Sequence, residues 1–314
     1  MHQAKECDRT EGDGGGLRPP PAPQSQAPRR YQRIVVAVPA RNEADCVGEC
    51  VTSIDRAARA VAVPVTVVVA ADSCQDATAE VLARLRPSSC RLYVLEGTWG
   101  RAGTARAAAI EFGLCAQQHG HRYLPGNAAG QGQDKTDELV WIANTDADCV
   151  VPPSWLQTQL LLAKEVEAVA GIVELDRQRT PAGLFEAFNR TYARPADVGT
   201  AAGVTLGPDG EVEDHEHVHV HGANIGLCAM AYQAVGGWCP LTVVGEDHVL
   251  WDALRSAGRR TRQTTALRVA TSARTRSRVD GGFATDLANL DRAPAERGLT
   301  PARGIGTLRV NADG

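Results

Sequence analysis

Absences narrow the field before any motif is read. The nine cysteines are odd in number and scattered, and no Cys-x-x-Cys occurs. That argues against a disulfide framework or a zinc knot, and for reduced, partly buried thiols. No apolar run approaches the roughly 20 residues needed to cross a bilayer. The longest, VPVTVVVAA and LQTQLLLA, are far shorter. The N-terminus, MHQAKECDRTEGDGGG, has no apolar signal core. A basic excess is missing too: formal net charge is -4 and the pI is near 6.1. A nucleic-acid binder would be expected to be basic. The expectation is a soluble cytoplasmic protein with no transmembrane segment and no nucleic-acid partner.

What is present is 314 residues at 43% hydrophobic content, enough for one large domain or two small ones. Residues 1–30 are rich in Gly, Pro, Gln and charge, a composition that buries no core and predicts a disordered tail. From YQRIVVAVPA onward, strands and helices alternate. Strands are expected at Ile34 to Val38, Val65 to Ala70, Arg91 to Glu96 and Leu139 to Ala143. Between them, Val47, Val51, Ile54, Ala58 and Val61 have helical spacing. Further helices are expected near Ala77 to Leu85 and Gly103 to Cys115, and LPGNAAGQGQDKTDE reads as a polar loop. Repeated strand–helix units with β-branched strands imply a parallel sheet covered by helices. Beyond Pro152 the strands are AVAGIVEL and HVHVHGANIGL, and the helices AGLFEAFNRTYA and EDHVLWDALRSAG. The division expected is one ordered domain, 31–290, in two halves, 31–150 and 151–290, and a loosely ordered end, 291–314.

In such sheets ligands bind beyond the carboxyl ends of the strands. Three of those ends carry unusual residues: PARNE (Pro39 to Glu43), ADSCQD (Ala71 to Asp76) and NTDAD (Asn144 to Asp148). Asp146 and Asp148 alternate on an extended segment, so both carboxylates can face one ion. Hard cations such as Mg²⁺ or Mn²⁺ prefer oxygen ligands; a turn in which the aspartates cap backbone N–H groups is the other reading. Asp76, just before a helix, suits an N-cap. Asp72 ends a strand where an acceptor could meet a nucleobase edge. GTWGRAGTARAAAIEFG enters a helix through glycines, and either holds anionic oxygens with Arg101 or Arg106, or serves tight helix packing. It contains neither Gly-x-Gly-x-x-Gly nor Gly-Lys-Ser/Thr. His217, His219 and His221 fall on one face of an expected strand, as metal ligands or as solvated histidines. Glu246 and Asp247 open a helix, as ordinary first-turn acids or as a general base.

Taken in order, these stretches resemble the inverting glycosyltransferases of family 2, from about Ile34 to Gly282. VAVPARNEADCVGECVTSI is similar to the family's first strand and loop, and DSCQDAT to its second loop. GRAGTARAAA is similar to its Gly–Ala–Arg segment and TDAD to its Asp-x-Asp motif. GANIGLCAMAYQAVGGW and GEDHVL are similar to its acceptor loop and Glu-Asp motif. The resemblance implies a GT-A fold: a Rossmann-like, mostly parallel sheet with helices on both faces. It implies a hexosyltransferase-like enzyme with a nucleotide-sugar donor, a hydroxyl acceptor and a divalent cation, Mg²⁺ or Mn²⁺. On that carry-over Pro39, Ala40, Glu43, Asp72, Arg101, Arg106 and Asp146 hold the donor, with Asp72 on the base. Asp146 and Asp148 hold the metal. Asp247 is the base with Glu246 beside it, and His221, Gly222 and Asn224 meet the acceptor. Three departures stand out: Ala71 replaces a common Asp, no Gln-x-x-Arg-Trp follows the Glu-Asp pair, and no histidine follows His248. The second departure, with the lack of a membrane span, implies single transfer rather than processive synthesis. The rival functions are a sugar-nucleotide nucleotidyltransferase and a non-catalytic sugar-nucleotide-binding protein. Against the first, PARNEADC has no glycine before Gly48; against the second, both acidic motifs are present.

Overall fold

Eight strands form one sheet in the computed structural model, which describes residues 30–116, 139–177, 179–192, 219–242 and 245–273. The expected tail up to residue 29, the polar loop, the end 291–314 and His217 lie outside the described residues.

The first half follows the expected alternation. β1 (Arg33–Ala40), α1 (Val47–Ala58), β2 (Val65–Asp72), α2 (Thr78–Arg84), β3 (Arg91–Gly97), α3 (Ala102–Cys115) and β4 (Val140–Asn144) come in chain order. β5 (Cys149–Val150), α4 (Trp155–Leu162), β6 (Ala168–Leu175) and α5 (Ala182–Tyr192) follow. The described chain continues with β7 (Ile225–Cys228), α6 (Ala229–Ala234), α7 (Glu246–Ser256) and β8 (Thr261–Thr271).

Spatial order is β3-β2-β1-β4-β7-β6-β8-β5. β3, β2, β1 and β4 are mutually parallel, as are β6 and β8. β7 runs antiparallel between β4 and β6, and β5 antiparallel to β8. β2 and β4 are buried at every position and β1 at all but Pro39, because helices cover both sides. Right-handed crossovers place α1 and α2 on one face; α3, which returns the chain across β1, lies on the other. Accordingly α1 touches α2 and α4, while α3 packs on β1 and β2. The mostly parallel, helix-covered sheet is therefore the one the sequence implied. The order reverses between β1 and β4, which opens a crevice at their carboxyl ends.

Local chemistry fixes α3 over the sheet. Arg33 donates to Gly113 O at 2.8 Å and Leu114 O at 3.0 Å, satisfying carbonyls at the helix C-terminus. A Cβ at Gly113 would stand 2.4 Å from Val35 Cγ1, so glycine is what lets α3 lie against β1.

The second half departs from expectation. The strand expected across HVHVHGANIGL is confined, among the described residues, to β7; Gly222–Asn224 forms a 3₁₀ turn instead. The reason is Asn224, whose amide donates to Ile172 O at 2.9 Å and Leu267 O at 3.0 Å, and accepts from Trp155 Nε1 at 2.9 Å. Those bonds turn the backbone before β7 begins. β8, with eleven residues the longest described strand, was not expected, nor were β5, α4 and α6. No described helix is long and apolar enough to cross a membrane.

Candidate active site

The loops after β1 and β2 are sewn together. Asp76 accepts the Ala44 amide at 3.0 Å and the Thr78 amide at 3.0 Å. It stands one residue before the N-cap position, Ala77, rather than at it, takes the first amide of α2, and holds the β1 loop against that helix. Asn42, at φ +55°, accepts the Gln75 amide at 2.7 Å. Glu43 receives the start of α1 through its carbonyl, and its amide donates to Thr78 Oγ1 at 2.8 Å. Pro39 and Ala40 end β1 alongside Ala70 and Ala71.

Asp72 is buried at the end of β2. Its Oδ1 accepts the amides of Trp99 at 2.7 Å and Gly100 at 3.1 Å, and the Ser73 hydroxyl at 3.2 Å. Oδ2 faces Arg41 at 3.9 Å, too far for a direct hydrogen bond. The Trp99 indole covers the register neighbour of Asp72: a Cβ on Gly97 would be 2.8 Å from it. Sequence reasoning passed over Trp99 and Arg41, although a tryptophan amid glycines was a visible signal.

Arg101 reaches across to Pro240 O at 2.8 Å and so ties the β3–α3 loop to the segment before α7. Arg106 turns inward. Its guanidinium is almost wholly buried, pairs closely with Asp146, and lies 3.5 Å from Glu246 Oε1. It sits over the Trp238 ring at 5.1 Å. Burial alone would depress its pKa, but Asp146, Glu246 and Asp247 outweigh that and raise it. It therefore faces carboxylates rather than open solvent.

Glu246 packs against the start of α3, where a Cβ on Gly103 would come within 3.0 Å of its Cγ. Asp247 accepts the Gly222 amide at 3.0 Å and its neighbour's amide, that of His248, at 2.9 Å. The 3₁₀ turn and the Glu-Asp pair thus meet directly. His221 and His219 are half-buried with rings stacked 6.0 Å apart. Asn224 is fully buried, spent on the backbone and Trp155 contacts given above.

The two aspartates of the Asp-x-Asp segment are held differently. Asp146 takes Arg106, while Asp148 Oδ2 accepts the Ser272 hydroxyl at 2.9 Å. Their potentials overlap. Burial raises the Asp146 pKa, Arg106 opposes, and Asp148 pushes it further up. The buried thiols of Cys50 and Cys149 are driven well above their usual range by burial, then by Asp148 and Asp146. A divalent cation there would have to share Asp146 with Arg106. Among the described residues no group of three or more His, Cys, Asp or Glu is set to hold one. Asp146 and Asp148 would offer two carboxylates, the kind of donor a hard ion takes when water and substrate phosphates complete its shell.

The sequence profile described as "glycosyltransferase like family 2" matches residues 31–281. No curated protein matches the chain in sequence. Among solved structures, S. aureus TarS 1-349 is similar at 13% identity and a TM-score of 0.45, over 77% of this chain and 61% of that one. The mannosyltransferase PcManGT from Pyrobaculum calidifontis, in complex with GDP-Man and Mn²⁺, is similar at 19% identity and a TM-score of 0.49, over 82% and 62%. Glucosyl-3-phosphoglycerate synthase from Mycobacterium tuberculosis, in complex with Mn²⁺, UDP-Glc and phosphoglyceric acid, gives 14% and 0.41, over 83% and 76%. The chain spans less than two thirds of the length of the TarS and PcManGT chains it matches.

Proposed function

The chain belongs to the glycosyltransferase like family 2, and from that membership we propose that it moves one sugar from a nucleotide-diphosphate sugar to an acceptor hydroxyl, with inversion and without processivity. The observation that carries this reading is the Arg106 junction. One buried guanidinium joins Asp146, at the mouth of the β1–β4 crevice, to Glu246, next to Asp247. That contact sets the donor-type and acceptor-type motifs, far apart in the chain, side by side, which supports reading them as one site.

In this reading Asp72 offers Oδ2 to a base N–H, since Oδ1 is already taken up by three donors. Pro39, Ala40 and Glu43 line the nucleotide, and Arg101 stands on the rim. Asp146 and Asp148 hold Mg²⁺ or Mn²⁺, with Asp146 also meeting the ribose. The ion's contribution, when bound, is to neutralise charge on the departing diphosphate. Asp247 removes the acceptor proton as that oxygen bonds to the anomeric carbon. The bond to the diphosphate breaks on the opposite side, and the leaving group keeps the electron pair. His221 and Gly222 shape the acceptor entrance, and Asn224 supports it from beneath. The proposed setting is the cytoplasm, where nucleotide sugars are the donors.

A thermal-shift panel of nucleotide sugars with Mn²⁺ tests this. A ligand at about 100 times its dissociation constant adds about 2.7 kcal/mol, a shift readily seen. Asp148→Asn keeps the side-chain size but removes a charged oxygen ligand, so it should abolish the Mn²⁺-dependent part of the shift and leave the unliganded melt nearly unchanged. Equal Mn²⁺-dependent shifts in parent and variant would return these aspartates to a capping role.

A further inference from the structure

Arg106 carries one charge against several. Asp146, Glu246 and, more weakly, Asp247 all act on it, and among the described residues no other cation pairs with Asp146 or Glu246. The sharing is uneven. Contact with Asp146 is tight, whereas Glu246 Oε1 is 3.5 Å away. A charge-assisted bond between such groups normally closes to about 2.7–2.9 Å. The Glu246 side therefore has slack. Nε, though buried, has no hydrogen-bond partner, so the fork is not locked in its present setting. Trp238 supports the guanidinium by its face at 5.1 Å, a contact that tolerates sliding in plane better than a directional hydrogen bond would. Nη1, the atom that faces Glu246, also lies against Gly222: a Cβ there would stand 2.8 Å away, so only glycine lets the guanidinium sit this close. The amide of that same Gly222 donates to Asp247.

We propose that Arg106 is a positioning residue that couples the two half-sites, its guanidinium shared between Asp146 and Glu246 so that filling the donor side turns it toward the acceptor side. This rests on the reading above, in which Asp146 faces the donor and Glu246–Asp247 the acceptor. Positive charge or a hydroxyl donor arriving at Asp146 weakens that carboxylate's hold on Arg106. Glu246 takes up the released guanidinium through Nη1, the atom that already packs on Gly222, and so firms the contact beside the amide that donates to Asp247. The base is thereby set only once a donor is present. Arg106 touches neither reactant in this scheme; it acts through two carboxylates. The coupling works in both directions, as any linkage between two sites must.

Reciprocity supplies a test that needs no acceptor. If Glu246 draws Arg106 away from Asp146, then Glu246→Gln leaves Arg106 wholly on Asp146 and weakens binding of Mn²⁺·UDP. Isothermal titration should show a loss of about five- to tenfold, the low end of ordinary coupling. The same substitution on an Arg106→Gln background should cost less than about twofold, since the shared group is gone. Equal losses in both backgrounds would reduce Arg106 to a fixed pillar and overturn the proposal. A second measurement leaves Arg106 intact. Mn²⁺·UDP should change the tryptophan fluorescence of the parent by more than that of Trp238→Phe, while affinity persists; the difference belongs to Trp238, since Trp99 beside Asp72 responds to the base in both. Equal changes in parent and Trp238→Phe would show that the guanidinium does not move over Trp238, and would also overturn the proposal. Failure of the parent to bind UDP or GDP with Mn²⁺ at all would instead remove the donor reading itself, and the proposal with it.

Discussion

Asp247 and Asp55 are both aspartates held by backbone amides, yet their tasks differ. Asp247 is half-buried at the first turn of α7, tied to Gly222 and His248. Asp247→Asn keeps shape and cannot take a proton. Turnover should fall by about 10²–10⁴, the usual range for loss of a general base. Nucleotide affinity measured by titration should hold, because the base-side contacts come from the loops after β1, β2 and β3. Near-normal turnover would dismiss Asp247 as the base. Asp55 is buried and far from chemistry. It accepts the Ser89 amide at 2.6 Å, Arg59 at 3.3 Å and Ser88 at 3.3 Å, clamping α1 to the loop before β3. Burial alone would raise its pKa; these bonds outweigh burial and lower it. A lowered carboxylate pKa contributes stability above the unfolded value, about 3.9, and loses it as pH falls through the folded value. Asp55→Asn should therefore cost about 1–3 kcal/mol at neutral pH. In melts recorded against pH, that gap should stay level down to about pH 4 and close below it. A gap that does not vary with pH would mean that the clamp does not depend on the charge.

At the scale of elements, fit rather than propensity decides. Gly113 is a poor helix former near the end of α3, yet the helix passes so close to Val35 and Val68 that a methyl group has no room. Gly113→Ala gains helix propensity of about 1 kcal/mol. It must also push α3 off β1, and overpacking of that kind costs about 1–3 kcal/mol. A fall in Tm is the expected net result, with reduced nucleotide binding because Arg106 rides on α3. A rise in Tm would show that the sheet yields. Elements of the first half were legible because buried parallel strands leave unbroken apolar runs and α1 carries a clear helical stripe. β8 was not: TRQTTALRVAT mixes arginines with small and branched residues, and only its burial between β6 and β5 makes it a strand. HVHVHGANIGL erred the other way. Its alternation suggested a long strand, but the side-chain bonds of Asn224, invisible to periodicity, curl the chain at Gly222.

At the scale of the molecule, the order of motifs along the chain was enough to imply the family and the helix-covered sheet, because the motifs of the first half sit where β1 to β4 end and strand ends show in a linear pattern. It was also enough to single out Asp72, Asp146, Asp148, Glu246 and Asp247, since acids that interrupt apolar runs are conspicuous. Which of them face one another was a different matter. Arg106 and Glu246 are separated by 140 positions, and Asp148 and Ser272 by 124. No local signal encodes such pairs; the return of α3 across the sheet and the packing of α7 against Gly103 create them. The sequence by itself therefore determined which residues carry charge at the strand ends and at the start of α7, through composition and spacing. Only the tertiary structure decided that one buried arginine would serve two of them, because a shared counter-charge is a property of distances in space and not of positions along the chain.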